Sequence, residues 1–248
     1  MLSMAFLVLM SLFAGILTGI IGMASLTLYP VLVSIGVPAI SANATITVAT
    51  VGAGIGTTMA SLRELHHHWK IAFTAALLCT SGSIIGALIL IHSSNASFKK
   101  VVPLFIFAAG IMLLCPSKSS SNPGQQRGLI TTILGWLGIV LIGLYNGYFG
   151  AASGLLMIAV LSKIVGGKYV TYNAIRNFSS FCSNVVSAIM FIIMLKIQWN
   201  LIIPLLIGLF IGGYIGPVIA RRIPEKLIKT SVGIIALILA GILAWQAY

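Results

Sequence analysis

The sequence has almost no acidic residues. It contains no aspartate and only two glutamates, Glu64 and Glu225, against fourteen lysines and arginines, for a net charge of +12. Only 6% of the residues are charged, compared with roughly 25% in a soluble domain, and 59% are hydrophobic. The mean hydropathy is +1.14. This composition predicts an all-α polytopic membrane protein, with no length left for a soluble catalytic domain.

The residue types of enzyme and metal sites are scarce as well. Cys79, Cys115 and Cys182 lie apart, without metal-ligand spacing, and we interpret them as small core residues. Three consecutive histidines at 66–68 cannot share one helix face, so we expect an interfacial loop rather than a metal site. With no GxSxG-type nucleophile motif and no carboxylate pair in an apolar segment, the sequence predicts neither an enzyme nor a cofactor.

The basic residues lie in short connections between apolar runs, where they orient a chain in a bilayer. We therefore expect the lipid bilayer as a partner and no nucleic acid. The opening residues, MLSMAFLVLMSLFAG, lack a basic n-region, and we interpret them as a retained first helix. The sequence leaves open whether the protein forms a homo-oligomer.

The apolar segments form two groups of five, which we expect to build a single membrane domain. The first group occupies residues 1–115 and the second 129–248. The linker between them, residues 116–128, reads PSKSSSNPGQQRG and is too polar to stay in lipid. The expected segments are 4–22, 25–36 (short), 39–62, 69–92 and 98–115, then 129–149, 153–165 (short), 170–195, 198–220 and 227–247.

The two groups form an internal repeat. At a shift of 128 residues, Gly15, Gly19, Gly22 and Ser25 match Gly143, Gly147, Gly150 and Ser153. At a shift of 130, Asn43, Ala44, Trp69, Gly82 and Gly86 match Asn173, Ala174, Trp199, Gly212 and Gly216. The glycine pairs have the GxxxG spacing of close helix contacts, and the two tryptophans are interpreted as interfacial anchors.

The basic residues also favour one topology. If all ten segments cross, ten basic residues share one side and three the other, with Arg176 inside a helix. If the short segments only dip into the membrane, the split falls to eight and five. The positive-inside rule favours ten crossings, which place both termini outside and invert the second repeat. Inverted repeats with interrupted helices are a transporter architecture with its site near the midplane.

Residues 142–187 combine two features that are costly in lipid: a Gly/Ala/Ser run at 147–154 and Arg176. A helix from about Tyr169 would carry one polar face, formed by Asn173, Arg176, Asn177, Ser180, Asn184 and Ser187. A matching face in the first repeat is formed by Asn43, Thr47, Thr50, Gly54 and Thr57. The alternative interpretation is that these residues only hold helices together, but that role does not need an arginine.

These residues resemble the TauE/SafE sulfite exporter family, the four-TMS sulfite/organosulfonate transporter-like permeases. The resemblance covers nearly the whole chain and is carried by GIIGMASLTLYPVL, ANATITVA and SLREL, then by GLYNGYFGAASGLL, YNAIRNFSSFCSN and Trp199. It implies transport of sulfur-containing anions such as sulfite, thiosulfate or organosulfonates by a multi-pass protein of the prokaryotic cytoplasmic (inner) membrane. It leaves the particular anion and the direction open.

The sequence departs from the family pattern at three places. Residues 23–25 are Met, Ala and Ser where the family usually has a run of glycines, and Asn146 stands where an acid or amide is frequent. Ile46 replaces the last residue of a common ANATN motif. We therefore expect a tighter or more helical turn in the first repeat and a site weighted towards the second.

Arg176 is the strongest candidate for a binding residue, because a guanidinium stays charged when buried and offers a planar fork to an oxyanion. The alternative is an anchor that snorkels to the interface. The candidate substrate-binding residues are Arg176, Asn177, Asn173, Ser180, Asn43, Thr47, Ser153 and Ser25. The predicted function is an exporter or facilitator of small sulfur oxyanions, and the alternative is a non-transporting membrane assembly or scaffold protein.

The lack of acids also bears on energy coupling. Both glutamates lie in basic connections rather than in apolar segments, so we expect no intramembrane carboxylate to carry a coupling proton. An inside-negative potential of 100 mV opposes anion uptake by roughly 2.3 kcal/mol per charge, which favours export or facilitated diffusion. Uptake would require a cotransported cation held by carbonyls and hydroxyls, around Asn43, Thr47 and Ser153.

Overall fold

The computed structural model describes residues 4–100, 129–165 and 168–222, together with single positions between 107 and 245. Over these residues the protein is helical, and no strand is found among them. Residues 95–100 are helical as well, whereas the linker 116–128 and nearly all of the expected segments 98–115 and 227–247 lie outside the description. The helices are α1 Met4–Ile21, α2 Ala24–Ser34, α3 Ala39–Ala60, α4 Leu62–Leu65, α5 Trp69–Ile91, α6 Leu129–Tyr148, α7 Ser153–Ile164, α8 Tyr169–Met194 and α9 Trp199–Ala220.

Five helices, α1, α3, α5, α8 and α9, offer at least 18 fully described residues that are apolar enough to cross a bilayer, and α6 is apolar over Thr132–Tyr148. The two short ones, α2 and α7, have 11 and 12 residues. As helices they cover about 17 and 18 Å of a hydrocarbon core that is roughly 30 Å thick. All these boundaries agree with the expected segments to within two residues.

Glycines in the left-handed conformation end the two interrupted helices. The φ angle is +78° at Gly22, just after α1, and +74° at Gly150, just after α6. Two residues separate α1 from α2, whereas four separate α6 from α7, and Ala152 in that second turn also has a positive φ of 60°. The turn is therefore tighter in the first repeat, as the missing glycines at 23–25 led us to expect.

Several glycines inside the helices allow helix backbones to touch. A Cβ added to Gly212 of α9 would lie 2.1 Å from the carbonyl oxygen of Leu12 in α1. A Cβ added to Gly147 of α6 would lie 2.0 Å from the carbonyl oxygen of Ser83 in α5. The GxxxG spacings therefore mark the contacts of α1 with α9 and of α5 with α6.

Helix contacts follow the internal repeat. The residue shifts of 128 and 130 relate α1 to α6, α3 to α8 and α5 to α9. Under this correspondence the α1–α9 contact maps onto α6–α5, and the α3–α9 contact maps onto α8–α5. The helices α3 and α8 pack on each other and run antiparallel, because Asn177 near the start of α8 bonds Ser61, just after the end of α3.

An ion pair joins the end of α9 to the connection between α3 and α5. Arg221 Nε donates to Glu64 Oε1 at 2.8 Å, and Arg221 Nη2 donates to Glu64 Oε2 at 3.0 Å. The same Nη2 donates to the carbonyl of Ala60 at 2.7 Å. The basic residues Arg63 and Arg221 therefore lie at the same end of the bundle.

Two hydrogen bonds define the opposite end. The backbone N–H of Gln198 donates to Thr45 Oγ1 at 3.1 Å, and that of Ile40 donates to Asn95 Oδ1 at 2.9 Å. These bonds place the connection before α9 and the residues after α5 beside the first turns of α3. Lys196 and the lysines at 99–100 consequently share this end, away from Arg221.

This arrangement predicts which side of a membrane each connection faces. In a protein whose three cysteines are replaced by alanine, we expect Arg63→Cys and Arg222→Cys to react with a membrane-impermeant maleimide from one side, and Lys196→Cys from the other. All three positions are exposed, so accessibility does not differ among them. Labelling of Arg63→Cys and Lys196→Cys from the same side would contradict the arrangement.

Candidate functional site

A small, partly open cavity lies where the two interrupted helices meet α3 and α8. Most of the side chains around it are hydroxyls and amides, with one guanidinium. The lining residues are Thr18, Gly22, Ala24, Ser25, Thr47, Thr50, Asn146, Phe149, Gly150, Ser153, Arg176, Ser180 and Asn184. No acid lies on any helix that contributes to this lining, because the chain's only acids are Glu64 and Glu225.

The internal repeat runs through the cavity, since both members of four matched pairs line it. These pairs are Thr18 with Asn146, Gly22 with Gly150, Ser25 with Ser153, and Thr50 with Ser180. Arg176 breaks the correspondence, because Ile46 occupies the matched position and lies in the core. The positive charge of the cavity therefore comes from the second repeat alone.

Arg176 is buried inside the bundle, with only 1% of its surface exposed. Its Nη1 donates to the carbonyl oxygen of Thr18 at 2.8 Å, and its Nη2 donates to Asn173 Oδ1. Its Nε is buried without a hydrogen-bond partner in the described part of the chain. A buried side chain of this kind is not the interfacial anchor that would snorkel to the surface.

The end of α1 supplies the neutral oxygens that surround this charge. Its last carbonyls carry partial negative charge, and those after Thr18 lack helical donors, whereas Thr18 O also accepts from the backbone N–H of Gly22 at 2.9 Å. The helix α8 covers them one by one: Arg176 binds Thr18 O, Asn173 Nδ2 binds Gly19 O at 3.0 Å, and Tyr169 Oη binds Ile20 O. The helix end thus stabilises the guanidinium without neutralising it, which leaves it able to bind an anion.

Gly22 makes room for the guanidinium. A Cβ there would lie 2.8 Å from Arg176 Nη1 and 2.7 Å from the Cα of Gly154. A Cβ on Gly154 would in turn lie 2.5 Å from the carbonyl oxygen of Ile21. The first helix interruption therefore packs directly against the start of α7, with the guanidinium beside the contact.

Asn146 connects the second interruption to α8. Its Nδ2 donates to Ser183 Oγ at 3.2 Å and to Asn184 Oδ1 at 3.0 Å. Its Oδ1 accepts from Ser153 Oγ at 2.7 Å. Asn146 therefore connects the start of α7 to the middle of α8. This is the position at which the family often has an acid or an amide.

The predicted site residues divide into two groups. Five of them line the cavity: Arg176, Ser180, Thr47, Ser153 and Ser25. Three do not. Asn173 accepts a hydrogen bond from Arg176 Nη2 through its Oδ1. Asn177 Nδ2 donates to Ser61 Oγ at 3.3 Å. Asn43 Nδ2 donates to the carbonyl oxygen of Tyr148 at 3.1 Å.

The polar face of α8 also holds helices together, as the alternative interpretation expected. Ser187 Oγ lies 2.6 Å from Ser83 Oγ of α5, where both side chains are buried. Ser187 is absent from the cavity lining, whereas Ser180, two turns earlier, belongs to it. The polar face of α8 therefore lines the cavity at Ser180 and contacts α5 two turns further along the helix, at Ser187.

The sequence predictions omitted several lining residues. Thr50 and Asn184 were on the two polar faces, and Asn146 and Gly150 belong to the interrupted motif, so a signal existed for each. Thr18 and Phe149 stand within or beside apolar runs that show nothing unusual. Only the helix interruption four residues after Thr18 gives a reason to place it near a site.

The remaining predictions concern residues away from the cavity. Cys79 is buried and Cys182 is partly buried, and both are free thiols, whereas Cys115 lies outside the described residues. His66 and His67 are exposed in the turn between α4 and α5. The described residues contain no group of three or more His, Cys, Asp or Glu side chains that could hold a metal ion.

A bundle of apolar helices, with broken helices around a buried polar cavity, is the architecture of a membrane transport protein. The chain belongs to the sulfite exporter TauE/SafE family, whose sequence profile matches residues 7–243. It is thus a member of a family of membrane transporters.

Curated relatives carry names of the same kind. The chain is 26% identical over 186 residues to a "Probable membrane transporter protein" of Haemophilus influenzae, covering 75% of this chain and 72% of the relative. It is 25% identical over 197 residues to "Probable membrane transporter protein ORF9" of Sinorhizobium sp, covering 79% and 75%. It is 24% identical over 189 residues to "Probable membrane transporter protein YfcA" of Escherichia coli K12, covering 75% and 69%. No solved structure matches the chain significantly.

The tight contact at Gly22 can be tested against a matched glycine. We expect Gly22→Ala to lower the melting temperature of the purified protein more than Gly36→Ala does. Both glycines have a positive φ, +78° and +88°, so both substitutions carry the same backbone cost of about 1–2 kcal/mol. A Cβ at Gly36 meets nothing within 4 Å, whereas at Gly22 it overlaps Arg176 and Gly154. Equal melting temperatures for the two variants would show that the contact is loose.

Proposed function

We propose that the protein transports small oxyanions, in particular sulfur oxyanions such as sulfite, thiosulfate or organosulfonates, through the cavity that contains Arg176. The observation that carries the proposal is the guanidinium itself: it is 1% exposed, its partners are neutral, and its Nε is unpaired among the described residues. A buried charge without a counter-ion is costly. An anion bound in the cavity would remove that cost.

The lining supports a small oxyanion as the substrate. A guanidinium gives planar, charge-assisted hydrogen bonds to the oxygens of such an anion. The hydroxyls of Ser25 and Ser180, both in the lining, can donate further hydrogen bonds. Because no acid lies on the lining helices, the cavity contains no carboxylate that would repel an anion.

The helix arrangement supports two inverted repeats, 1–115 and 129–248, joined by the linker 116–128. Repeat-related helices α3 and α8 run antiparallel, as inversion requires. Ten crossings would place Glu64 and Arg221 on the same side, whereas the dipping alternative would separate them across the membrane. Their ion pair therefore favours ten crossings. We propose further that the protein resides in a prokaryotic cytoplasmic membrane, because its relatives named above are bacterial.

A non-transporting assembly protein is the second candidate. The bond between Ser83 and Ser187 is the helix-to-helix contact that such a protein would need. It would not need a buried guanidinium beside a polar cavity. Flux therefore separates the two candidates.

The proposal predicts the effect of replacing Arg176. In proteoliposomes we expect Arg176→Ala to abolish flux of sulfite and thiosulfate, since a hydrogen bond to a charged group contributes about 1.5–3 kcal/mol, a tenfold effect or more. Arg176→Lys should retain little flux, because the charge remains but the planar fork is lost.

The matched control is Arg222→Ala, which removes an exposed arginine at the end of α9. It should transport like the wild type. Wild-type flux in both Arg176 variants, at equal protein incorporation, would exclude Arg176 from the transport site.

The proposal also predicts that no carboxylate relays a coupling proton. Glu64 is held by both Arg221 contacts, at 2.8 and 3.0 Å, away from the cavity. With a pH gradient or a membrane potential imposed separately, we expect the potential to drive anion flux and the pH gradient to add nothing. Uphill accumulation driven by the pH gradient, and lost in Glu64→Gln or Glu225→Gln, would contradict the prediction.

A further inference from the structure

The two interrupted helices end in nearly the same way, but only one end is provided with a positive charge. At the end of α1, the amide of Asn173 donates to Gly19 O and accepts from Arg176. At the end of α6, the matched amide of Asn43 donates to Tyr148 O at 3.1 Å. The matching position for Arg176 is Ile46, which supplies no donor.

Asn43 consequently keeps an unsatisfied oxygen in the protein interior. The side chain is 1% exposed, and its Oδ1 has no hydrogen-bond partner within the described ranges. Exchanging the amide's oxygen and nitrogen would not help, because Tyr148 O is an acceptor and requires the Nδ2 beside it. A buried oxygen of this kind costs about 1–3 kcal/mol unless a donor or a cation binds it.

The surroundings of this oxygen favour a cation. The α6 helix ends at Tyr148, so the carbonyls of Asn146 and Gly147 lack the i+4 donors of a continuing helix. These groups form the negative end of the helix dipole. Thr47 Oγ1, one turn along α3, uses its proton on Asn43 O at 3.0 Å and therefore presents lone pairs to its surroundings.

We propose that the end of α6 and Asn43 form a binding site for a small monovalent cation, Na⁺. The ligands on offer are Asn43 Oδ1, Thr47 Oγ1 and the last carbonyls of α6, all of them neutral oxygens. A divalent cation would require carboxylates, which this part of the chain lacks. The bound Na⁺ occupies the place that corresponds, in the repeat, to the guanidinium of Arg176.

The site lies next to the anion cavity, because Thr47 lines that cavity. Its use in transport rests on the proposed function: a Na⁺ bound there adds a positive charge beside the cavity and so strengthens binding of the anion. Binding of Na⁺ itself does not depend on the anion, so it can be measured alone.

The test measures binding of ²²Na⁺ to purified full-length protein in choline chloride, with no sulfur anion present. We expect saturable binding to the wild type, weakened at least about tenfold in Asn43→Ala, which corresponds to 1.4 kcal/mol. Asn43→Asp keeps the side-chain size and adds a negative charge, so it should bind Na⁺ more tightly than the wild type.

The matched control is Thr58→Val. Thr58 is on the same helix and also has a buried oxygen without a partner among the described residues, but it lies at the opposite end of α3. This variant should bind like the wild type. Absence of saturable Na⁺ binding to the wild type, or equal affinity in Asn43→Ala and Asn43→Asp, would overturn the proposal and assign the Asn43 oxygen to a buried water.

Loss of anion transport and loss of this site can be told apart. If the wild type binds Na⁺ but transports no oxyanion, the cation site stands and the proposed function fails. If oxyanion flux is found and ²²Na⁺ does not bind, the proposed function stands and the cation site fails.

Discussion

The structure depends on keeping the charge of Arg176 inside a bundle whose one described acid, Glu64, is paired with Arg221 instead. Removal of an ion from water is expensive, and the cost is met here by neutral oxygens rather than by a carboxylate. The end of α1 contributes the carbonyl oxygen of Thr18, and Asn173 contributes its side-chain oxygen. Because neither partner is charged, the guanidinium retains its full attraction for an anion.

The contacts of Gly22 with Gly154 and with Arg176 make this arrangement possible. Gly22 leaves the helical conformation and contacts both Gly154 and the guanidinium, so the helix break, the positive charge and the start of α7 are one structural unit. At α6 the break is longer, and Asn146 fastens it to α8 through Asn184. The cavity between the breaks is therefore lined by both repeats, while its charge comes from one.

Hydropathy predicted the bounds of the described helices well, because the length of an apolar segment follows directly from the thickness of the bilayer. The polar face of α8 placed Arg176 and Ser180 correctly in the cavity lining. It could not separate them from Asn177, whose partner Ser61 belongs to a distant part of the chain. A helical face gives the direction of a side chain, whereas its partner depends on the height and tilt of the neighbouring helix.

The central claim is that Arg176 binds an oxyanion, and anomalous diffraction tests it most directly. Selenite has the shape and charge of sulfite, and its selenium scatters anomalously. Crystals of the wild-type protein grown with selenite should show an anomalous peak in the cavity, within contact distance of the Arg176 guanidinium, and crystals of Arg176→Ala should not. A peak unchanged in Arg176→Ala, or no peak in the cavity of the wild type, would contradict the account.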